Sequence, residues 1–362
     1  MTDVDAVVLH APGQPPEVRR QPAPVDGEVI VRVAAAPIVP LDLLCASGTS
    51  YFGVPATPYV PGVQGVGRVL SGTAAFPPGT PVWFATTAGM APGDGSMRAV
   101  AAVREQDVVA LPADADLVLV AALGLSAVAA EMSLTWRGGL TQGEQVLVLG
   151  AGGVVGQAAV QLARTAGARR VIAVARPGAG QARAERAGPD ALVLLEEDDD
   201  VARLAERITA ACEGPLDLVL DPLFGVPATA ALRALRPHGR LVNLGSSAGE
   251  TAPMDSSTLR SRSLQVLGYT NNELTPEQRR DALTRVVREA AAGRLAVDHE
   301  PVPLRDAAEA WTRQLTGRTN GRVVLVPEED VALDRSGQPN PVPRVVGPIS
   351  RRRRSRSATS SS

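Results

Sequence analysis

Residues Gln145-Val-Leu-Val-Leu-Gly150-Ala-Gly152-Gly153-Val154-Val155-Gly156 decide the fold of this 362-residue chain. An apolar run of strand length ends in Gly-x-Gly-x-x-x-Gly, and the residues from Val154 to Arg164 continue with helical periodicity. Gly150 and Gly152 permit a tight turn in which backbone N–H groups can approach a pyrophosphate. Gly153, Val154 and Val155 lead into the helix, whose N-terminus adds partial positive charge, and Gly156 allows it to pack closely on the strand. A glycine-rich turn alone is common. The strand before it and the helix after it favour a dinucleotide site over an ordinary strand-to-helix turn.

Outward from that turn, strands alternate with helices. RRVIAVA, ALVLL, LDLVLDP, GRLVNLG and SLQVLGY follow as strands, separated by the helical segments QARAERAG, DVARLAERITAACEG and PATAALRALRP. This spacing predicts six strands in one doubly wound parallel sheet. A further helix begins at Thr275-Pro276 and carries Ala282, Val286, Val287 and Ala290 on one face. The first 110 residues differ in texture: Pro and Gly separate short Val-rich runs (AVVLH, EVIVRVAAA, GVGRVLSG, PVWFATT, VVALP), which predict strands with few helices. After Pro327 the periodicity ends, and the composition of 328–362 predicts a disordered tail.

The second strand of the alternation closes on Val171-Ile-Ala-Val-Ala175 and is followed by Arg176. A dinucleotide that carries two free ribose hydroxyls is met by an Asp or Glu about 20 residues past the glycine turn. Here a guanidinium stands in that place, and Arg183 follows in the next helix. Both suit a 2′-phosphate, so the expected cofactor is NADP(H).

Composition removes several alternatives. All 36 basic residues are Arg, which excludes lysine Schiff-base chemistry. Two cysteines (Cys45, Cys212) and three histidines (His10, His238, His299) supply neither a disulfide framework nor a Cys-x-x-Cys or His-x₃-His spacing, so no metal site is expected. The longest apolar run, Leu117 to Ala130, spans 14 residues where a membrane crossing needs about 20, so no membrane association is expected. The opening residues carry no basic segment followed by an apolar core, which predicts a cytoplasmic protein. Before residue 351 the chain holds 31 arginines against 38 acids, a net of −7, and five arginines then follow in Arg351-Arg-Arg-Arg-Ser-Arg. That run lacks interleaved aromatics and reads as a solubilising end, not as a nucleic-acid site.

In this order the motifs identify a family resemblance. Pro61-Gly-Val-Gln64-Gly-Val-Gly67, Leu123-Gly-Leu-Ser126-Ala, the glycine turn, Leu235-Arg-Pro-His-Gly239-Arg-Leu-Val-Asn-Leu-Gly245, Leu267-Gly-Tyr269 and Gly321-Arg322-Val-Val-Leu-Val-Pro327 resemble the zinc-independent, quinone oxidoreductase-like medium-chain dehydrogenases/reductases over about residues 3–327. The resemblance implies an α/β chain: a GroES-like β-rich substrate domain (1–118, completed by 272–327) and a Rossmann doubly wound parallel sheet (119–271). It also implies a homodimer. Zinc alcohol dehydrogenases of the wider family carry His and Glu where this chain has Val63 and Gln64, and a Cys near Leu41 and Asp42.

The implied activity is hydride transfer from NADPH to a quinone or an activated C=C of an enone or enoyl compound, a small apolar or conjugated carbonyl substrate. A weakly catalytic NADPH-binding redox sensor or interaction protein is the alternative, because relatives often carry Asn and Arg where Val39 and Ala46 stand. By the match, Ser126 lies beside the nicotinamide and could donate to its carboxamide or to a carbonyl, or serve only as a helix cap. Tyr51 could orient substrate or relay a proton. Leu244, Gly245 and Ser246 after the fifth strand, Tyr269, Thr270 and Asn271 after the sixth, and Arg322 complete the expected cofactor contacts.

Overall fold

Six parallel strands form the centre of the structure, a computed structural model that describes residues 3–328. In sheet order they are Ala191–Leu194, Arg170–Ala175, Gln145–Val148, Leu216–Asp221, Leu235–Asn243 and Gln265–Gly268. The order therefore runs third, second, first, fourth, fifth, sixth, with the reversal between Gln145–Val148 and Leu216–Asp221. A crevice opens at such a reversal, beyond the carboxyl ends of the strands, and Gly150 sits there.

Helices cover both faces, so the inner strands are apolar on both sides rather than alternating with polar residues, while the edge strand Gln265–Gly268 is largely exposed. Val146, Val148, Val171, Ala173, Leu218, Leu220 and Val242 face one layer of core, packed with Val160 and Leu162 of the Val154–Thr165 helix and with the Leu117–Met132 helix. Leu147, Ile172, Val174, Val219 and Leu241 face the other, against Leu204, Ile208 and Ala231. All six expected strands and the expected doubly wound sheet are present.

The second sheet joins distant parts of the chain. Its order is His299–Pro303, Arg322–Val326, Val29–Pro37, Gln64–Ser71, Pro81–Ala85 and Val108–Ala110, with Val100–Val103 also pairing on Val29–Pro37. Two strands thus come from beyond residue 298 and the rest from before residue 111. Asp3–Val8 and Glu17–Pro22 form a separate antiparallel pair.

Several elements depart from the sequence reading. Glu17–Pro22 is a strand whose residues are largely exposed, so it carries no apolar signal. The short helices Pro40–Ser47 and Ser256–Ser261 were not expected, although Pro40 at the start and Gly48 at φ 76° past the end are sound boundaries for the first. The apolar segment after Asp116 is longer than its uncharged stretch: it runs Leu117–Met132 and continues through Ser133–Arg137 in a wider π turn. Those 21 residues are long and apolar enough to cross a membrane, but 78% of the most apolar window is buried inside the fold. The tail expected at 328–362, with its arginine run, lies outside the described residues apart from Glu328.

Leu147 is wholly buried in the central strand. Leu147→Ala is expected to cost about 2–5 kcal/mol, seen as a lower denaturant midpoint at unchanged slope.

Candidate functional site

The glycine turn is shaped by what cannot fit there. Gly150 holds φ 64°, a Cβ on Gly152 would lie 2.6 Å from the Gly180 carbonyl oxygen, and one on Gly156 would collide with the Gly150 carbonyl. Gly153 begins the Val154–Thr165 helix with no side-chain cap, so the first-turn N–H groups of Val154 and Val155 are open to an anion. The Gly152 carbonyl is held by Arg183 Nε at 2.8 Å and Gln157 Nε2 at 3.2 Å. Arg183 therefore spends one donor on the turn itself. Arg176 is exposed just past Arg170–Ala175, and among the described residues it makes no hydrogen bond or ion pair. Uncapped amides beside an unspent guanidinium fit a phosphorylated dinucleotide.

Across the crevice, Asp221 is fully buried and accepts from the N–H groups of Leu223 at 3.0 Å and Phe224 at 2.8 Å. Asn243 Nδ2 donates to Asp221 Oδ2 at 3.0 Å and to the Gly245 carbonyl at 2.8 Å, which fixes the Leu244-Gly245-Ser246 turn. The Ser246 hydroxyl is bonded to Glu250 at 2.6 Å. Beyond the sixth strand, Tyr269 donates to Asn271 Oδ1 at 2.7 Å, and Asn271 Nδ2 donates to the Leu125 carbonyl at 3.0 Å. Thr270 caps the turn that holds Asn271 and Asn272.

These contacts lead to a break in the Leu117–Met132 helix. Gly124 sits at φ 28°, ψ −130°, which frees the Leu125 N–H from its helical partner. Gln64 Oε1 accepts that N–H at 2.7 Å and also the Trp83 indole N–H at 3.0 Å. The break is thus bracketed by two amide side chains: Gln64 holds the N–H of Leu125 and Asn271 its carbonyl. A Cβ on Gly124 would collide with the Gln64 amide, so glycine is required by both torsion and space.

Two residues past the break, Ser126 is 8% exposed and accepts from Arg322 Nη2 at 3.0 Å. Arg322, 4% exposed, donates its Nη1 to the Ile38 carbonyl at 2.9 Å, while its buried Nε has no partner among the described residues. Burial lowers its pKa to about 10, against the opposing pull of Asp42. Asp42 is itself pushed up to about 6 by burial, although the N–H groups of Val39 and Val63, each at 2.9 Å, favour its charged form. The fold thereby assembles a buried cation, a hydroxyl and a carboxyl around residues 124–126.

The structure brings together Ser126, Arg322, Tyr269 and Asn271, and it gathers Gly150, Gly152, Gly153, Val154, Val155, Gly156, Arg176 and Arg183 at the turn. Tyr51 is 76% exposed, with its ring 4.3 Å from that of Phe52. Sequence reasoning missed Gln64 as the cap of the break and Asp42 as its buried neighbour. Gln64 lies in a motif already noted, Pro61 to Gly67, but nothing local says that its amide reaches a helix some 60 residues away. At the positions of the zinc ligands, Val63 offers a backbone donor and Gln64 a neutral amide already engaged. Among the described residues no three His, Cys, Asp or Glu side chains converge.

Gly124→Ala is expected to destabilise by about 1–3 kcal/mol in thermal unfolding and to change Trp83 fluorescence as the Gln64 contact shifts. Asp42 has a folded pKa above its ordinary 3.8, so its contribution to stability is full below that value and is lost as pH rises to about 6. Denaturation from pH 4 to 6 is expected to show this falling slope in the native protein and not in Asp42→Asn.

Two family models match the chain: the alcohol dehydrogenase GroES-like domain over residues 25–113 and the zinc-binding dehydrogenase over residues 154–288. The quinone oxidoreductase of Lama guanicoe is 29% identical over 244 residues, covering 66% of this chain and 71% of that protein. The mitochondrial enoyl-[acyl-carrier-protein] reductase of Mus musculus is 31% identical over 249 residues, covering 67% of this chain and 64% of that protein. The chain thus spans just under two-thirds of that reductase. In fold, the quinone oxidoreductase of Pseudomonas syringae superposes with a TM-score of 0.77 at 24% identity, over 90% of this chain and 100% of that one. With a GroES-like sheet, a Rossmann sheet and these relatives, the chain belongs to the medium-chain dehydrogenase/reductase family of oxidoreductases and is quinone oxidoreductase-like.

Proposed function

We propose that the protein is an NADPH-dependent reductase that delivers hydride, without zinc, to a quinone or to the activated C=C of an enone or enoyl substrate. The observation that carries this reading is the uncapped helix N-terminus behind the glycine turn, with the unpaired Arg176 at the end of the next strand. The amides of Val154 and Val155 would hold the pyrophosphate. Arg176 would meet the 2′-phosphate in the bidentate manner a guanidinium allows. Bound there, NADPH supplies the hydride.

The chain's own groups then orient and shield. The Leu244-Gly245-Ser246 turn and the Tyr269-Asn271 pair lie at the strand ends that face the crevice, where they would flank the nicotinamide half. Ser126 would donate to a carbonyl oxygen there. Val63 and the engaged Gln64 amide, standing in place of zinc ligands, support a reaction that needs no Lewis acid. A homodimer would use the outer edge of the sheet at Gln265–Gly268, where Val266 is 41% exposed.

NADPH oxidation against a panel of quinones and enones tests the reaction; binding of NADPH with no acceptor-dependent oxidation overturns it in favour of a binding protein. For cofactor choice, Arg176→Ala is expected to raise the KM for NADPH about 10- to 100-fold and to leave that for NADH unchanged. Equal effects on both defeat the 2′-phosphate assignment.

A further inference from the structure

We infer that Arg322 is a positioning residue that acts through Ser126, taking up the serine's oxygen so that its O–H is left free to donate to the carbonyl oxygen of the acceptor. The inference rests on the reductase reading above, and it gives Arg322, expected from the family resemblance only as a cofactor contact, a role at the reacting end of the site.

The hydroxyl's partners carry the argument. A Ser or Thr inside a helix ordinarily returns its O–H to the carbonyl four residues back. Thr135, Thr209, Thr229 and Thr312 do this here, bonding to Glu131, Ala205, Gly225 and Ala308. Ser126 does not, because the helix is broken at Gly124, between it and Ala122. Its one hydrogen bond among the described residues is accepted from Arg322 Nη2 at 3.0 Å. A proton donor is therefore unspent at a site that is 8% exposed. The Arg322 Nε, also buried, is unspent as well. Two unmatched donors in one buried cluster are costly unless an acceptor visits them.

The charge is also available to the serine. Asp42 is the acid facing Arg322, but both of its oxygens are taken by the N–H groups of Val39 and Val63, and it makes no hydrogen bond to the guanidinium. A cation that donates to a hydroxyl oxygen strengthens that hydroxyl as a donor in turn. With an enone, the β-carbon gains hydride from NADPH, which leaves as NADP⁺. The C=C pair shifts toward the carbonyl, whose own π pair moves onto oxygen. Ser126 O–H donates a hydrogen bond to that enolate oxygen, and a solvent water then protonates the α-carbon to give the saturated ketone.

Ser126→Ala is expected to lower kcat about 100-fold with the NADPH dissociation constant unchanged. Arg322→Lys, which keeps the charge but not the forked geometry, is expected to recover part of the activity that Arg322→Gln loses. A second measurement needs neither cofactor nor turnover: titration of the thiol in Ser126→Cys, with the native protein's Cys45 and Cys212 signal subtracted. Its pKa is expected to rise by one unit or more when Arg322→Gln or Arg322→Met is added, because an opposite charge at hydrogen-bond distance is removed. An unchanged thiol pKa, or an unchanged kcat in Ser126→Ala, overturns the inference. If the native protein binds NADPH but oxidises it with none of the quinones or enones, the reductase reading falls, while the thiol titration still decides whether Arg322 acts on position 126.

Discussion

The bond from the Leu125 N–H to Gln64 Oε1 is the constraint on which the site depends. At Gly124 the helix gives up its own hydrogen bonding, and a buried N–H cannot go unpaired without a cost of about 1–3 kcal/mol. A side chain from the N-terminal sheet replaces the lost partner at 2.7 Å, and the same oxygen ties in Trp83. Through that exchange the Gln64–Ser71 strand, the helix and the segment after the sixth Rossmann strand are locked to one another. Ser126 faces Arg322 as a result.

The two ends of the crevice follow different physics. At the glycine turn the structure removes side chains, so that backbone donors and helix charge remain for an anion. At the helix break it buries charge: a guanidinium and a carboxyl sit in nearly dry surroundings, and each is shifted toward its neutral form by burial. The first arrangement suits holding a ligand, and the second suits acting on one oxygen atom. The return of the chain closes the site from the far side, with Gln157 and Gln161 of the helix behind the glycine turn bonded to the backbone of Asp298 and Ala296, and Arg322 following in the next strand.

Much of this was legible along the chain. Val and Leu on both faces of short runs mark strands buried on two sides, and Gly150, Gly152 and Gly156 are needed for torsion or close packing that other residues would block. Elements with a weak local signal were harder. Glu17–Pro22 is mostly polar and exposed, with Val18 its one aliphatic side chain packed on the core, and Pro40–Ser47 is too short for periodicity to show. The apolar helix ran past the residue where its uncharged stretch ended, since Glu131 is buried with Arg285 at 2.8 Å and does not end it.

Sequence alone therefore determined the parallel sheet, its turn and the class of cofactor, because those rest on spacing within about 30 residues and on torsions that only glycine adopts. The tertiary structure decided what surrounds Ser126. Arg322 lies 196 residues away in sequence, Gln64 meets Leu125 across 61, and Asn271 reaches Leu125 across 146. Contacts of that range leave no periodic trace, since they exist only once two sheets and a broken helix have been packed together, and so the chemistry of the site was set by packing and not by motif.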